Sequence, residues 1–183
     1  MKITIKKEKF LIQSLLWALT MSVLFYFVFY FILSNKIDVL IKQAANSIYN
    51  FGIHLSVIIV FSTLIIGFIL HELIHATFCI LFTKNIDSIA FGLDLKQMII
   101  YCHCKMPLYV NHYLIMVIAP FTIMGLFPFI IGLCFENIFF IIFGYIFSIA
   151  AIGDLLIIRL IIKNYQKKFI KDSNKEIGGE YID

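Results

Sequence analysis

The chain has 183 residues, 62% of them hydrophobic and 14% charged, with a formal net charge of +4 and a mean hydropathy of +0.98. These values exclude an ordinary soluble domain and fit a single domain of an integral membrane protein. The basic residues gather at the ends of apolar runs, where they report topology, and with no DNA- or RNA-binding motif present no nucleic-acid partner is expected.

Lys2, Lys6, Lys7 and Lys9 precede an apolar run from Leu11 to Leu33, long enough to span a bilayer and lacking a small-residue cleavage site, so an uncleaved first span is expected. Residues 34 to 53 mix Lys36, Asp38 and Lys42 with Val39, Leu40 and Ile41, which suits either a short interfacial helix or a connecting loop. A second apolar run, Ser56 to Phe82, carries His71-Glu72-Leu73-Ile74-His75. From Thr83 to His112 the chain turns polar, and β-type residues on either side of Gly92 to Lys96 predict a cytoplasmic hairpin whose second strand ends by Pro107. A third span is expected from Tyr113 to Phe135, tolerating Pro120 and Pro128, and a fourth from Ile138 to Ile162. The charged tail after Lys163, with Gly178 and Gly179, reads as a frayed extension.

Four basic residues lie before the first span, three between the second and third, and six from Arg159 onward, against Lys36 and Lys42 alone in the outer loops. The positive-inside rule then puts both termini and segment 83–112 in the cytoplasm. The fold class expected is an all-α integral membrane protein of about four transmembrane helices with one small hairpin. Two of the four cysteines, Cys79, Cys102, Cys104 and Cys134, lie in or at the edge of apolar runs, so reduced thiols are expected.

His71, Glu72, His75 and Asp154 are the ionisable residues deep in these runs. An acidic residue near a span centre costs roughly 2.5–3.5 kcal/mol on insertion scales, so such a set reads as functional. On a helix His71 and His75 share a face one turn apart, where both imidazoles can bind one metal ion and Glu72 can serve as base for an attacking water. His75 lies seven residues before Phe82 and Asp154 eight before Ile162. At about 1.5 Å per residue both sit at one depth, roughly 10–12 Å inside the cytoplasmic end of their helices. Asp154 is therefore the expected third ligand, with a fourth position left open. The competing reading is a buried polar cluster that needs no metal.

Other residues carry less. Gly67 and Gly153 could let two helices approach closely at the site, or serve ordinary packing. Cys102-His103-Cys104 lacks the second cysteine pair of a zinc site, which favours incidental thiols. Asn111 and His112 suit interfacial anchoring better than oxyanion binding, while His54 and Glu136 fall on the outer side. An exposed strand edge within 86–104 could hold an unwound substrate in extended form, or the hairpin could merely cap the bundle.

The combination of His71-Glu-Leu-Ile-His75, Tyr101-Cys-His-Cys-Lys-Met-Pro-Leu108, His112-Tyr, Ala119-Pro120 and Ile152-Gly-Asp-Leu-Leu156 resembles the bacterial putative zincin peptidase family over residues 55 to 160. That family is distantly similar to the site-2 intramembrane proteases. The resemblance implies a zinc-dependent endopeptidase of the bacterial cytoplasmic membrane, with His71 and His75 as metal ligands, Glu72 as catalytic base and Asp154 at the place of a later carboxylate ligand. Here the aspartate is followed by Leu155, where site-2 proteases typically have glycine. The partners implied are the lipid bilayer and a peptide or membrane-protein substrate. The alternative is a non-catalytic metal-binding membrane protein with a structural, sensing or immunity-type role.

Overall fold

We describe the protein from a computed structural model, over residues 2–94, 99–166, 168–172 and 177–182. A short strand β1 (Lys2–Ile5) leads into α1 (Lys7–Leu33), and a 3₁₀ turn over Ser34–Lys36 passes the chain to α2 (Ile37–Thr83). Gly52 interrupts α2 with φ 73° and ψ 157°, a conformation that glycine adopts without a Cβ clash. Its break separates the mixed residues 37–51, which are helical, from the apolar limb that carries the histidines. Lys84 in the left-handed region ends that limb, and Asn85 starts the next turn by accepting the Asp87 amide at 2.9 Å.

Strands β2 (Ile89–Asp94) and β3 (Ile99–Cys104) pair antiparallel, Ile89 opposite Cys104 and Asp94 opposite Ile99, which is the expected hairpin. Of its predicted turn, Leu95 and Lys96 lie outside the described residues. After Pro107, the two-residue strand β4 (Leu108–Tyr109) enters α3 (Val110–Pro120). A π-helical stretch over Phe121–Leu126 joins α3 to α4 (Phe127–Cys134), the local adjustment that Pro120 requires. Asn137 caps α5 (Ile138–Ala150) by accepting the Phe139 and Phe140 amides. The chain then bends by 47° into α6 (Ile152–Lys163), so the fourth apolar run is two helices and not one straight span.

The chain is mostly helical but not all-α. The tail, expected to be frayed, forms β5 (Phe169–Asp172) and β6 (Ile177–Ile182). These complete an antiparallel sheet of order β1-β6-β5-β4, with Lys2 opposite Glu180, Lys171 opposite Glu180 and Leu108 opposite Ile170. Isoleucine and tyrosine at alternate positions explain why: Ile3, Ile170 and Tyr181 all turn inward and are buried. The periodicity-2 signal is only four to six residues long, too short to stand out in a charged tail.

Two cores result. One, under the sheet, contains Ile3, Cys79, Val110, Met116, Ile161 and Ile170; the other, at the far end, contains Phe25, Leu33, Leu40, Phe129, Leu133 and Ile141. The far end is also fastened by polar contacts: Lys36 pairs with Glu136 at 3.3 Å, and Gln43 bonds the Glu136 carbonyl at 3.0 Å. Between the cores Gly67 is buried, and a Cβ there would overlap the Phe147 ring of α5, so α2 and α5 touch directly. Gly153 plays no such part, since a Cβ on it would meet only Phe10 at 3.4 Å.

The stretches Lys7–Thr83 and Val110–Cys134 are long and apolar enough to cross a membrane, and the bent α5–α6 pair is a third candidate if it counts as one span. The first stretch contains both of the first two expected spans. The expectation of reduced thiols is corrected at one pair: Cys79 and Cys104 form a disulfide that staples α2 to β3, while Cys102 and Cys134 are free. Cysteine spacing gave no hint of this, because the pairing depends on where the hairpin folds back.

Candidate metal centre

The lower limb of α2 places His71 and His75 one turn apart, ring centroids 5.1 Å from each other, facing α3 and α6. The break at Ala151 restarts the helix, so Asp154 stands in the first turn of α6 and not in the middle of a continuous span. One carboxylate oxygen, Asp154 Oδ2, lies 3.1 Å from His71 Nε2 and 3.4 Å from His75 Nε2. His71, His75 and Asp154 each offer a ligand atom, all within 4.8 Å of one another. His71 is buried, and the side chains of His75 and Asp154 are only 12% and 19% exposed, so the cluster is shielded from solvent.

A second contact decides the chemistry of His75. Its Nδ1 lies 3.0 Å from the Met116 carbonyl. A carbonyl only accepts, so Nδ1 carries a proton, which leaves Nε2, 3.4 Å from Asp154 Oδ2, as the ring atom able to bind a metal. Met116 is free to accept because the residue four positions on, whose amide would normally bond it, is Pro120. The proline thus does more than mark a tolerated kink: it releases a carbonyl that orients a histidine, the outer-shell arrangement common to metal-ligating histidines.

Two imidazole nitrogens and a carboxylate oxygen brought this close can share a metal ion. A tetrahedral zinc, about 2.0–2.1 Å from each ligand, would hold neighbouring donor atoms roughly 3.3–3.4 Å apart, close to the two histidine–Asp154 separations of 3.1 and 3.4 Å. Two imidazoles and one carboxylate with a position left over also match a catalytic zinc donor set. The residues present therefore fit the ion. The orphaned Nδ1 of His71, buried without a hydrogen-bond partner, marks a ring with no second anchor.

Glu72, His75 and Asp154 line one cavity of about 160 Å³, together with Cys79, Cys102, Cys104, Tyr113, Met116 and Asp172. The Glu72 carboxylate accepts the Cys102 amide of β3 at 2.6 Å, so the hairpin holds this side chain beside the cluster. Tyr113 donates its phenol to Asp172 at 2.6 Å, and His103 Nδ1 lies 3.3 Å from the other Asp172 oxygen. Burial, and then the charges of Glu72 and Asp172, push the Cys102 thiol up to about 12. It is a poor nucleophile there, and its partner in the proposed thiol pair, Cys104, is in the disulfide.

His112 stacks on Phe82 with centroids 4.4 Å apart, and Asn111 accepts the Tyr165 hydroxyl at 3.0 Å. Neither lines the cavity, which favours their reading as anchors. His54 is exposed on the upper limb of α2 and Glu136 belongs to the far end. The sequence did not point to Tyr113, Asp172 or the Cys102 amide. Only Pro120, four residues after Met116, carried a readable signal.

A search of curated proteins and a search of solved structures each return no match. A family model described as "Putative zincin peptidase" matches residues 64–169, more than half of the chain. That segment contains the histidine pair with its glutamate, the hairpin and Asp154, and the chain belongs to this family.

Proposed function

We propose that the protein is a zinc-dependent endopeptidase embedded in the bacterial cytoplasmic membrane, with His71, His75 and Asp154 as metal ligands and Glu72 as general base. The observation that carries the reading is the convergence of His71 Nε2 and His75 Nε2 on Asp154 Oδ2 beside the cavity that Glu72 lines. Zinc, when bound, supplies Lewis acidity that activates water at neutral pH and polarises a carbonyl. The chain's own groups do the rest. His75 is fixed by Met116, Glu72 takes a proton from the attacking water and returns it to the departing amine, and the buried walls limit bulk water.

The exposed leucine, isoleucine and phenylalanine side chains along α1 and α2 suit a lipid-facing surface. Substrate would be a peptide or membrane protein presented near the cytoplasmic leaflet, held extended against the hairpin. Metal analysis of the purified protein tests the ligand assignment. One zinc per chain is expected in wild type, and Asp154→Ala should weaken zinc binding by more than about a hundredfold, beyond the 10–100-fold typical of losing an outer-shell partner. Unchanged zinc affinity in Asp154→Ala would remove Asp154 from the ligand set. Stoichiometric zinc with no cleavage of any peptide would favour a non-catalytic metal-binding role.

A further inference from the structure

Asp172 lies three residues beyond the family-matched segment, at the end of β5, yet it lines the same cavity as Glu72 and Asp154. Its position is built by the sheet. Tyr109 pairs with Phe169, and Tyr113 follows Tyr109 by one helical turn, so the phenol of Tyr113 meets Oδ1 of Asp172 at 2.6 Å. On the other side β6 holds β5, with Asp172 opposite Gly179, and β1 holds β6. The second oxygen of Asp172 reaches His103 Nδ1 at 3.3 Å, and His103 is next to Cys102, whose amide donates to Glu72 at 2.6 Å.

We propose that Asp172 is a positioning residue for Glu72: anchored by Tyr113, it clamps β3 through His103 so that the Cys102 amide holds the Glu72 carboxylate at the metal centre. The proposal rests on the reading of Glu72 as the base. A two-stranded ribbon alone is marginal in water, so β3 needs anchors to keep an amide in a fixed place. The disulfide at Cys104 supplies one and Asp172, through His103, the other, at the two residues that follow Cys102 in β3. A charged acceptor shared by a phenol and an imidazole is a stronger anchor than a neutral contact.

Hydrogen exchange at the Cys102 amide reads the clamp without any substrate. In the zinc-loaded full-length protein, Asp172→Ala should speed exchange at Cys102 by about tenfold or more, while zinc stays at one per chain. Asp172→Asn, which keeps an acceptor for Tyr113 and a polar group for His103, should restore most of the protection, and Lys171→Ala on the exposed side of β5 should change nothing. If Asp172→Ala fails to fold, His103→Ala cuts the same link and should give the same faster exchange. With a cleavable quenched-fluorescence peptide, Asp172→Ala should lower kcat and leave KM in place. Wild-type protection of the Cys102 amide in a folded Asp172→Ala or His103→Ala protein would overturn the proposal. A protein that cleaves nothing but loses protection in Asp172→Ala would instead remove the catalytic reading and leave the clamp standing.

Discussion

His71 meets Asp154 through Nε2, and His75 meets both Asp154 and the Met116 carbonyl. His71 and His75 were legible from spacing, because a four-residue interval on a helix can mean only one face. Asp154 was legible from depth, and it lies within 3.1 and 3.4 Å of the two histidines. Cys102 was not: its thiol reads as incidental from the sequence, and no sequence signal marks its backbone amide, which donates to Glu72, or the burial that holds the thiol neutral. The thiol yields a prediction. A pKa raised to about 12 leaves on the order of one thiolate in ten thousand at pH 8, against roughly a quarter for an ordinary cysteine. Iodoacetamide labelling of Cys102 at pH 8 should therefore be far slower in the folded protein than after denaturation, and should accelerate only as pH rises toward 12. Equal rates at pH 8 would show that burial and the two carboxylates do not act on it.

Helices and strands were legible to different degrees. The apolar runs marked α1, the lower limb of α2 and α3 to α4 well, since runs of that length leave no alternative. The break in the fourth run was invisible: Ile-Ala-Ala-Ile-Gly has good helix formers, and tertiary packing sets the bend at Ala151. Pro120 ties local helix chemistry to the site. Replacing it with alanine restores an amide that competes with His75 for the Met116 carbonyl. Pro120→Ala is expected to weaken zinc binding by about tenfold, the lower end for loss of an outer-shell partner, as measured by competition with a zinc chelator. No change in affinity would mean that the carbonyl accepts both donors without loss.

At the scale of the whole chain, the sheet of β1, β6, β5 and β4 gathers both termini on the side where β3 touches β5, opposite the end held by Lys36 and Glu136. Counting basic residues led to the same grouping but could not foresee the sheet, because strand pairing between residues 2–5 and 177–180 has no local signature. The Lys and Arg bias is the ground for proposing that this side faces the cytoplasm, whereas a disulfide is more usual in oxidising compartments. Both residues of the bond are buried, Cys79 at 0% and Cys104 at 2% exposure. Tags on the two termini should react together with an impermeant reagent, and only when the cytoplasmic face is open. Labelling of one terminus from each side would break the topology.

We propose that Glu72 works on water beside a metal held by His71, His75 and Asp154. The decisive measurement is peptide-bond cleavage by Glu72→Gln at equal zinc content. The substitution keeps an acceptor for the Cys102 amide but removes the base. Cleavage should fall by about a hundredfold or more with zinc still at one per chain, in line with the loss of a general base. Cleavage equal to wild type would show that Glu72 is not the base.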